Sequence, residues 1–75
     1  INVYPNPLKN ELNISDNKQI QGFYNLKLFS ADSKLVIDKK VFIDNSFKFD
    51  LNVPTGTYYL LLEGDKYFYS KIVRE

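Results

Sequence analysis

Apolar and polar residues alternate in several short segments of this chain. In Gly22–Ser30, the side chains of Tyr24, Leu26 and Leu28 fall on one side of an extended backbone, and polar residues separate them. The segment Phe47–Leu51 alternates in the same way. A period of two residues is typical of a half-buried strand, whereas helices repeat every three to four residues. No part of the sequence keeps a helical spacing for more than one turn, so we predict an all-β protein.

Polar turn residues divide the pattern into seven segments, and several short strands at this spacing predict one immunoglobulin-like β-sandwich of about seven short antiparallel strands. In the fourth segment the alternation breaks around Asp38–Lys40, which predicts a β-bulge or a bend between sheets. The predicted strands are Asn2–Tyr4, Glu11–Ser15, Gly22–Ser30, Leu35–Ile43, Phe47–Leu51, Thr57–Glu63 and Tyr67–Arg74.

The same alternation predicts which side chains form the core. We expect the apolar residues on one face of each strand to be buried. They are Leu12, Ile14, Tyr24, Leu26, Leu28, Phe47, Phe49, Leu51, Tyr58, Leu60, Leu62 and Ile72.

Two prolines lie close to the start of the chain, in the stretch VYPNP. Each proline fixes φ and removes a backbone donor, and the residue before it is driven to an extended conformation. Proline in a sheet is confined to edges, ends and bulges. Pro5, Asn6 and Pro7 therefore predict a short edge strand that ends in a rigid corner.

Composition narrows the possible functions. The chain has 75 residues, no His and no Cys, and its ten basic residues are interspersed with nine acidic ones. Nucleic-acid binding needs a clustered basic face, and catalysis would lack the commonest general base. No apolar run approaches the length of a membrane span. We therefore expect no enzyme activity, no cofactor, no nucleic-acid partner and no insertion into a membrane.

A few residues remain as candidates for binding. Asp16–Asn17 and Asp44–Asn45 offer oxygen ligands of the kind that calcium prefers, but Asp and Asn are also the ordinary residues of turns, and we favour turns. Tyr59, Tyr67 and Tyr69 are predicted to share an exposed face. They could stack against sugar rings, although a cross-strand aromatic ladder that stabilises the last hairpin is the simpler interpretation.

Three motifs follow one another in order: VYPNP, then FDLNVPTGTYYLLLE at Phe49–Glu63, then KIVRE at Lys71–Glu75. Together they resemble the type A C-terminal sorting domain of the type IX secretion (Por secretion) system of Bacteroidetes, over essentially the whole chain. The matching positions are Pro5, Asn6, Pro7, Asp50, Leu51, Pro54, Gly56, Tyr58, Lys71, Ile72, Val73 and Arg74.

Within this pattern, several positions carry their own structural expectation. Pro54 should stiffen a corner, Gly56 should adopt a φ that other residues resist, and the Tyr58 hydroxyl should bond to backbone upstream, as in a tyrosine corner. The family usually has Gly-Lys where this chain has Ser33-Lys34, so we expect a turn there without a strict need for positive φ. Val53 and Arg74 replace the more usual Leu and Lys.

The resemblance implies that the chain is a non-catalytic secretion signal. By it, residues 1–75 would form one domain at the end of a larger secreted protein, and an upstream cargo would pass through the periplasm to the medium or the cell surface. The implied partners are the outer-membrane translocon and its sortase-like processing machinery. Lys71 and Arg74 would form a basic terminal patch for recognition. Two alternatives remain: a carbohydrate-binding or adhesive module appended to a secreted enzyme, and an immunoglobulin-like structural spacer.

Overall fold

A computed structural model describes residues 2–4, 10–15 and 20–75, with the side chains of Asn2, Tyr4 and Phe49 left out. This part of the chain consists of strands and turns and contains no helix, as the alternation predicted. The strands are β1 (Asn2–Tyr4), β2 (Glu11–Ser15), β3 (Gln21–Ser30), β4 (Leu35–Asp44), β5 (Ser46–Asp50), β6 (Gly56–Glu63) and β7 (Tyr67–Arg74).

All the strand pairs are antiparallel, in the order β1-β2-β5-β4-β3-β6-β7. Strands β4 and β5 share a single pair, Asp44 with Ser46. The strands therefore divide into a three-stranded sheet, β1-β2-β5, and a four-stranded sheet, β4-β3-β6-β7. Pairing β2 with β5 and β3 with β6 is the central connectivity of immunoglobulin-type sandwiches. The predicted sandwich is confirmed, with its fourth strand beside the third.

The core is a single cluster of apolar side chains contributed by both sheets. Leu12 and Ile14 from β2 are fully buried, as are Leu26 and Leu28 from β3 and Ile72 from β7. Removal of this apolar surface from water is the main favourable contribution that so small a domain has. The described buried set is Leu12, Ile14, Ile20, Tyr24, Leu26, Leu28, Val41, Ile43, Leu51, Tyr58, Leu60, Leu62 and Ile72.

The core prediction differs from the structure at its margins. Phe47 is only half-buried and packs against the edge of the core, and the Phe49 side chain lies outside the described residues. Ile20, Val41 and Ile43 are buried but were not predicted. Val41 and Ile43 belong to the strand whose alternation breaks, so the sequence did not show which of its faces pointed inward.

The fourth strand contains an irregularity, as predicted, but not around Asp38–Lys40, where pairing with β3 is regular. Strand pairing shifts register between Leu28 and Phe29, which lie opposite Ile37 and Leu35, so Val36 is the extra residue of a bulge. The bulge lies near the start of β4 and changes which side chains face the core beyond it. Farther along the strand, Lys39 occupies an inward position opposite Leu26. An inward charge and a bulge both oppose sheet extension at an edge strand.

Among the described residues, two turn residues other than glycine have a positive φ. Asn45, in the turn between β4 and β5, has φ of 68°, and its amide donates to the Ile20 carbonyl at 2.7 Å. Asn is among the few residues that tolerate this region. The turn interpretation of Asp44–Asn45 is confirmed, whereas Asp16–Asn17 lies outside the described residues. Ser33 also has φ of 68°, so the expectation that its turn needs no positive φ is wrong.

Candidate recognition site

Segments that are far apart in the sequence meet at one end of the sandwich, which we call the motif end. The Leu51 amide donates to the Asn10 carbonyl at 2.9 Å and thereby ties the segment after β5 to the start of β2. At the same end, Gly56 pairs with Arg74, so β6 begins where β7 finishes. Antiparallel pairing brings these chain positions together because it places the start of one strand beside the end of its neighbour.

A tyrosine corner fixes the loop at this end, as predicted. The side chain of Tyr58 is 5% exposed, and its hydroxyl donates to the Pro54 carbonyl at 2.6 Å. Gly56 lies between them with φ of +156°, in a region that residues with a Cβ rarely adopt. This confirms the predicted roles of Gly56 and Tyr58. The backbone from Pro54 to Tyr58 is consequently held in one shape by a hydrogen bond and by the freedom of a glycine.

An open polar hollow of about 390 Å³ lies beside this corner. Asn10, Asp50, Leu51, Asn52 and Arg74 line it. Its side chains offer a carboxylate, two carboxamides and a guanidinium, which can accept and donate hydrogen bonds at several places. The Nε of Arg74 is buried and has no hydrogen-bond partner within the described chain, and its Nη1 donates to the Glu75 carbonyl. This hollow, which we call the motif hollow, suits a polar partner better than an apolar one.

The structure brings together only some of the motif residues. Asp50, Leu51 and Arg74 share the motif hollow, and Pro54 with Tyr58 forms the adjoining corner. The residues of the opening corner, Pro5, Asn6 and Pro7, lie outside the described residues; the flanking Tyr4 and Asn10 are described.

The terminal motif divides between two faces of β7. Ile72 is fully buried, whereas Lys71 is exposed and lies opposite Tyr59 on the outer face. Side chains three positions apart in a strand point to opposite faces. Lys71 and Arg74 therefore do not form the single basic patch that the sequence predicted. Val73 lies on the outer side with Lys71 and is half-buried.

Two residues of the motif hollow were missed in the sequence. Asn10 and Asn52 read as ordinary loop residues, because a short polar amide is common in turns for local reasons. The only available signal was position: Asn52 directly follows the Asp50–Leu51 pair, and Asn10 precedes the second strand. Their proximity depends on the pairing of β2 with β5, which a single sequence does not specify.

The predicted tyrosine face is present on the outer surface of the four-stranded sheet. Tyr67 and Tyr69 are 74% and 67% exposed, and Tyr59 is half-buried. The rings of Tyr59 and Tyr69 stack with centroids 6.0 Å apart and planes 15° apart, so they form a cross-strand aromatic pair.

An ion pair lies on the same outer face. Lys27 Nζ is 2.8 Å from Glu63 Oε1, and both side chains are about one-third exposed or less. The hydrogen bond that Lys27 donates to Glu63, together with the negative charge of Glu63, raises the pKa of Lys27 above the ordinary lysine value. Because solvent reaches both side chains, we expect the pair to add little to the stability of the fold.

Two kinds of site are not found in the described residues. Groups of three or more potential metal-ligating side chains do not occur over residues 2–4, 10–15 and 20–75. Over the same residues there is no helix long and apolar enough to cross a membrane.

The chain is a small all-β sandwich, and its tyrosine corner and the motif hollow lie together at the motif end. The family model of the secretion system C-terminal sorting domain matches residues 2–75. The chain therefore belongs to the C-terminal sorting domains of the type IX secretion system, and this membership implies export to the cell surface or the medium. No curated protein and no solved structure shows significant similarity to the chain, so the assignment rests on the family model.

Proposed function

We propose that the 75 residues act as one non-catalytic sorting domain, joined to an upstream cargo, and that the motif end is the surface that the secretion machinery reads. The cargo would pass through the periplasm, be recognised by the outer-membrane translocon and be processed by sortase-like machinery at the cell surface. Membership of the sorting-domain family supports the general role. That the motif end is the surface bound by the secretion machinery is our own inference from the geometry.

One observation carries this assignment: two motif residues that do not serve the core, Asp50 and Arg74, converge. Leu51, Tyr58 and Ile72 are buried, so packing explains why the fold needs them. Asp50 and Arg74 are not buried core residues, yet they line the same hollow although 24 positions separate them in the chain. Polar residues that meet at a surface hollow without a packing role are better explained by contact with a partner.

The chemistry of the motif hollow indicates what kind of partner surface would fit. Arg74 can donate to a carboxylate or a backbone carbonyl, and Asp50 can accept from a backbone amide or a cationic side chain. The two amides can satisfy either type of group. A loop of the translocon that presents backbone groups and at least one charged side chain would therefore match this lining, and electrostatic complementarity would favour the correct partner over others.

The decisive experiment is export of a reporter fused to residues 1–75 in a Bacteroidetes host. Asp50→Asn removes a charge from the motif hollow without a change in shape, and Arg74→Gln removes a charge and replaces the guanidinium by a shorter carboxamide. Lys66→Gln removes a charge from the exposed β6–β7 turn at the other end and serves as the matched control. Loss of one charge-assisted hydrogen bond costs about 1.5–3 kcal/mol, which corresponds to about tenfold or more in affinity. We expect the two hollow variants to reduce export strongly and the control to leave it unchanged.

Two further measurements make the result interpretable. The thermal midpoint of each purified variant should stay close to that of the unsubstituted chain, since isolated surface substitutions change stability by about 0.5 kcal/mol or less. Lys71→Gln tests the outer face separately, because Lys71 points away from Arg74. Normal export by both hollow variants, with reduced export by Lys71→Gln, would transfer recognition to the outer face and contradict the proposal.

A further inference from the structure

A second hollow, of about 370 Å³, opens on the outer face of the four-stranded sheet. It is lined by Phe29, Ser30, Ser33, Tyr59 and Tyr69, and we call it the aromatic hollow. We propose that the aromatic hollow is a binding site for a neutral sugar ring. The inference is independent of the sorting function, because it concerns a different face and a different class of ligand.

The lining has the two chemical features that a sugar ring requires. A pyranose presents polarised C–H groups on its flat sides, and these are attracted to the electron-rich face of an aromatic ring. Its edge carries hydroxyl groups, which pair with side chains that both donate and accept. Tyr59 and Tyr69 supply nearly parallel rings at 6.0 Å and 15°, and Ser33 supplies a hydroxyl at the rim. The Ser30 hydroxyl donates to the Asp32 carboxylate and can therefore only accept from a ligand. None of the described residues that line the hollow is charged, which favours a neutral ligand.

Size is also compatible with a small ligand. Small-molecule sites usually occupy roughly 300–1,000 Å³ and combine aromatic walls with a few polar groups. The aromatic hollow falls at the lower end of this range. On the same face, the exposed Lys71 lies opposite Tyr59, and Lys27 pairs with Glu63 one step farther along the sheet. These charged groups form a hydrophilic border around an aromatic floor.

The other exposed aromatic pair of this face provides a useful contrast. Phe23 and Phe42 meet edge to face with centroids 5.0 Å apart, and the ammonium of Lys40 lies 5.4 Å from the centre of the Phe23 ring. Those two rings are partnered by each other and by a cation, an arrangement that contributes to stability without a ligand. Tyr59 and Tyr69 also stack against each other, and the 64% exposure of Phe23 is close to the 67% of Tyr69. The two pairs differ in that Tyr59 and Tyr69 line an open hollow, whereas the Phe23 ring faces the Lys40 ammonium.

Ser33, at the rim of this hollow, occupies a turn position that usually favours glycine. Its φ of 68° lies in the left-handed region, which is unfavourable for residues other than glycine, Asn and Asp. Glycine would relieve this strain but would remove the hydroxyl from the rim. The turn itself requires this conformation: the Ser33 amide donates to the Ser30 carbonyl at 2.9 Å and the Ser30 amide to the Lys34 carbonyl at 2.8 Å, as in a three-residue hairpin loop whose last residue is left-handed. What serine adds over glycine at this position is a hydroxyl at the rim of the hollow.

The test is an NMR titration of ¹⁵N-labelled chain with the methyl β-glycosides of glucose, galactose, mannose and N-acetylglucosamine. For so small a ligand we expect a dissociation constant on the order of 1 mM for at least one glycoside, and amide shifts confined to the residues that line the hollow. Tyr69→Ala should weaken this binding at least about tenfold, since it removes one wall. Tyr67→Ala is the matched control, because Tyr67 is equally exposed on the same face but does not line the hollow.

Two results would overturn the proposal. The first is the absence of saturable shifts with every glycoside; binding of the apolar dye ANS at Tyr69 in that case would identify a general apolar patch. The second is an equal loss of binding in Tyr67→Ala and Tyr69→Ala, which would indicate a diffuse aromatic strip. Both tyrosines are exposed, so we expect both variants to fold and to keep the native amide spectrum outside the site. Tyr69→Leu provides a second truncation that retains apolar contacts.

Discussion

The two ends of the sandwich contain the same three kinds of structural feature but use them differently. Each end has a buried tyrosine, a glycine that cannot readily be replaced and a turn residue with φ of 68°. At the motif end these are Tyr58, Gly56 and Ser33. At the opposite end, where the β4–β5 and β6–β7 turns lie, they are Tyr24, Gly64 and Asn45.

The motif end depends on a directional bond, whereas the opposite end depends on shape. Tyr58 is tied through its hydroxyl to the Pro54 carbonyl, and Gly56 is needed for its φ of +156°. Tyr24 is held by its ring, which packs against Phe68 with centroids 6.0 Å apart. A Cβ on Gly64 would lie 2.6 Å from that ring, so Gly64 is needed for space. A hydrogen bond fixes the loop that borders the motif hollow more specifically than packing would.

The largest expected effect comes from removal of either tyrosine ring. Tyr58→Ala and Tyr24→Ala each delete a buried aromatic side chain, which costs about 3–5 kcal/mol of unfolding free energy. That is a large part of the total stability of a domain of this size. Urea denaturation measures it, and a midpoint for either variant close to that of the unsubstituted chain would show that the corresponding corner does not support the fold.

A smaller loss of stability is expected from substitution of either glycine, but for different physical reasons. Gly64→Ala should cost about 1–3 kcal/mol, because the new methyl group overlaps the Tyr24 ring and the Phe23 carbonyl. Gly56→Ala should cost a similar amount through backbone strain alone, since its nearest neighbour is 3.8 Å away.

A double-mutant comparison separates these two causes. In a Tyr24→Leu background, the cost of Gly64→Ala should fall, because the larger part of the overlap is gone. The cost of Gly56→Ala should be the same with or without Tyr58→Leu. Equal costs of Gly64→Ala in both backgrounds would mean that Gly64, too, is selected for its backbone, and the contrast between the two ends would fail.

Loss of the hydroxyl alone should distinguish the two tyrosines. Tyr58→Phe leaves the Pro54 carbonyl without its donor and should cost about 1 kcal/mol, the usual net value of such a bond. Tyr24→Phe keeps the ring contacts with Phe68 and Gly64 and should cost less. Both values follow from urea midpoints at equal slope. A larger loss for Tyr24→Phe than for Tyr58→Phe would reverse the assignment of bond and shape.

The sequence predicted the motif end better than the opposite end, and the reason is physical. The corner from Pro54 to Tyr58 consists of local interactions over five residues, so its structure could be predicted from the residue types alone. The need for Gly64 arises from Tyr24, forty positions away, and only strand pairing brings them together. Asn10 and Asn52 were missed for the same reason. The positive φ of Ser33 was missed because the replacement of the family's usual glycine by serine was interpreted as a change of turn, whereas the turn keeps its conformation with serine in place.

The smallest effect is a stabilisation, and it links the comparison to the aromatic hollow. Ser33 and Asn45 share the same φ, but Asn tolerates this region better than Ser. Ser33→Gly should therefore raise the stability by about 0.5–1 kcal/mol after the extra entropy of glycine in the unfolded chain is subtracted, whereas Asn45→Gly should change it less. For a chain of this length, the thermal midpoint moves by roughly 4–8 °C per kcal/mol, so calorimetry can resolve the difference.

If the Ser33 hydroxyl serves the aromatic hollow, the more stable Ser33→Gly chain should also bind the glycoside more weakly. A gain in midpoint with unchanged sugar affinity would remove Ser33 from the site, and the absence of any gain would show that its turn carries no strain that glycine can relieve.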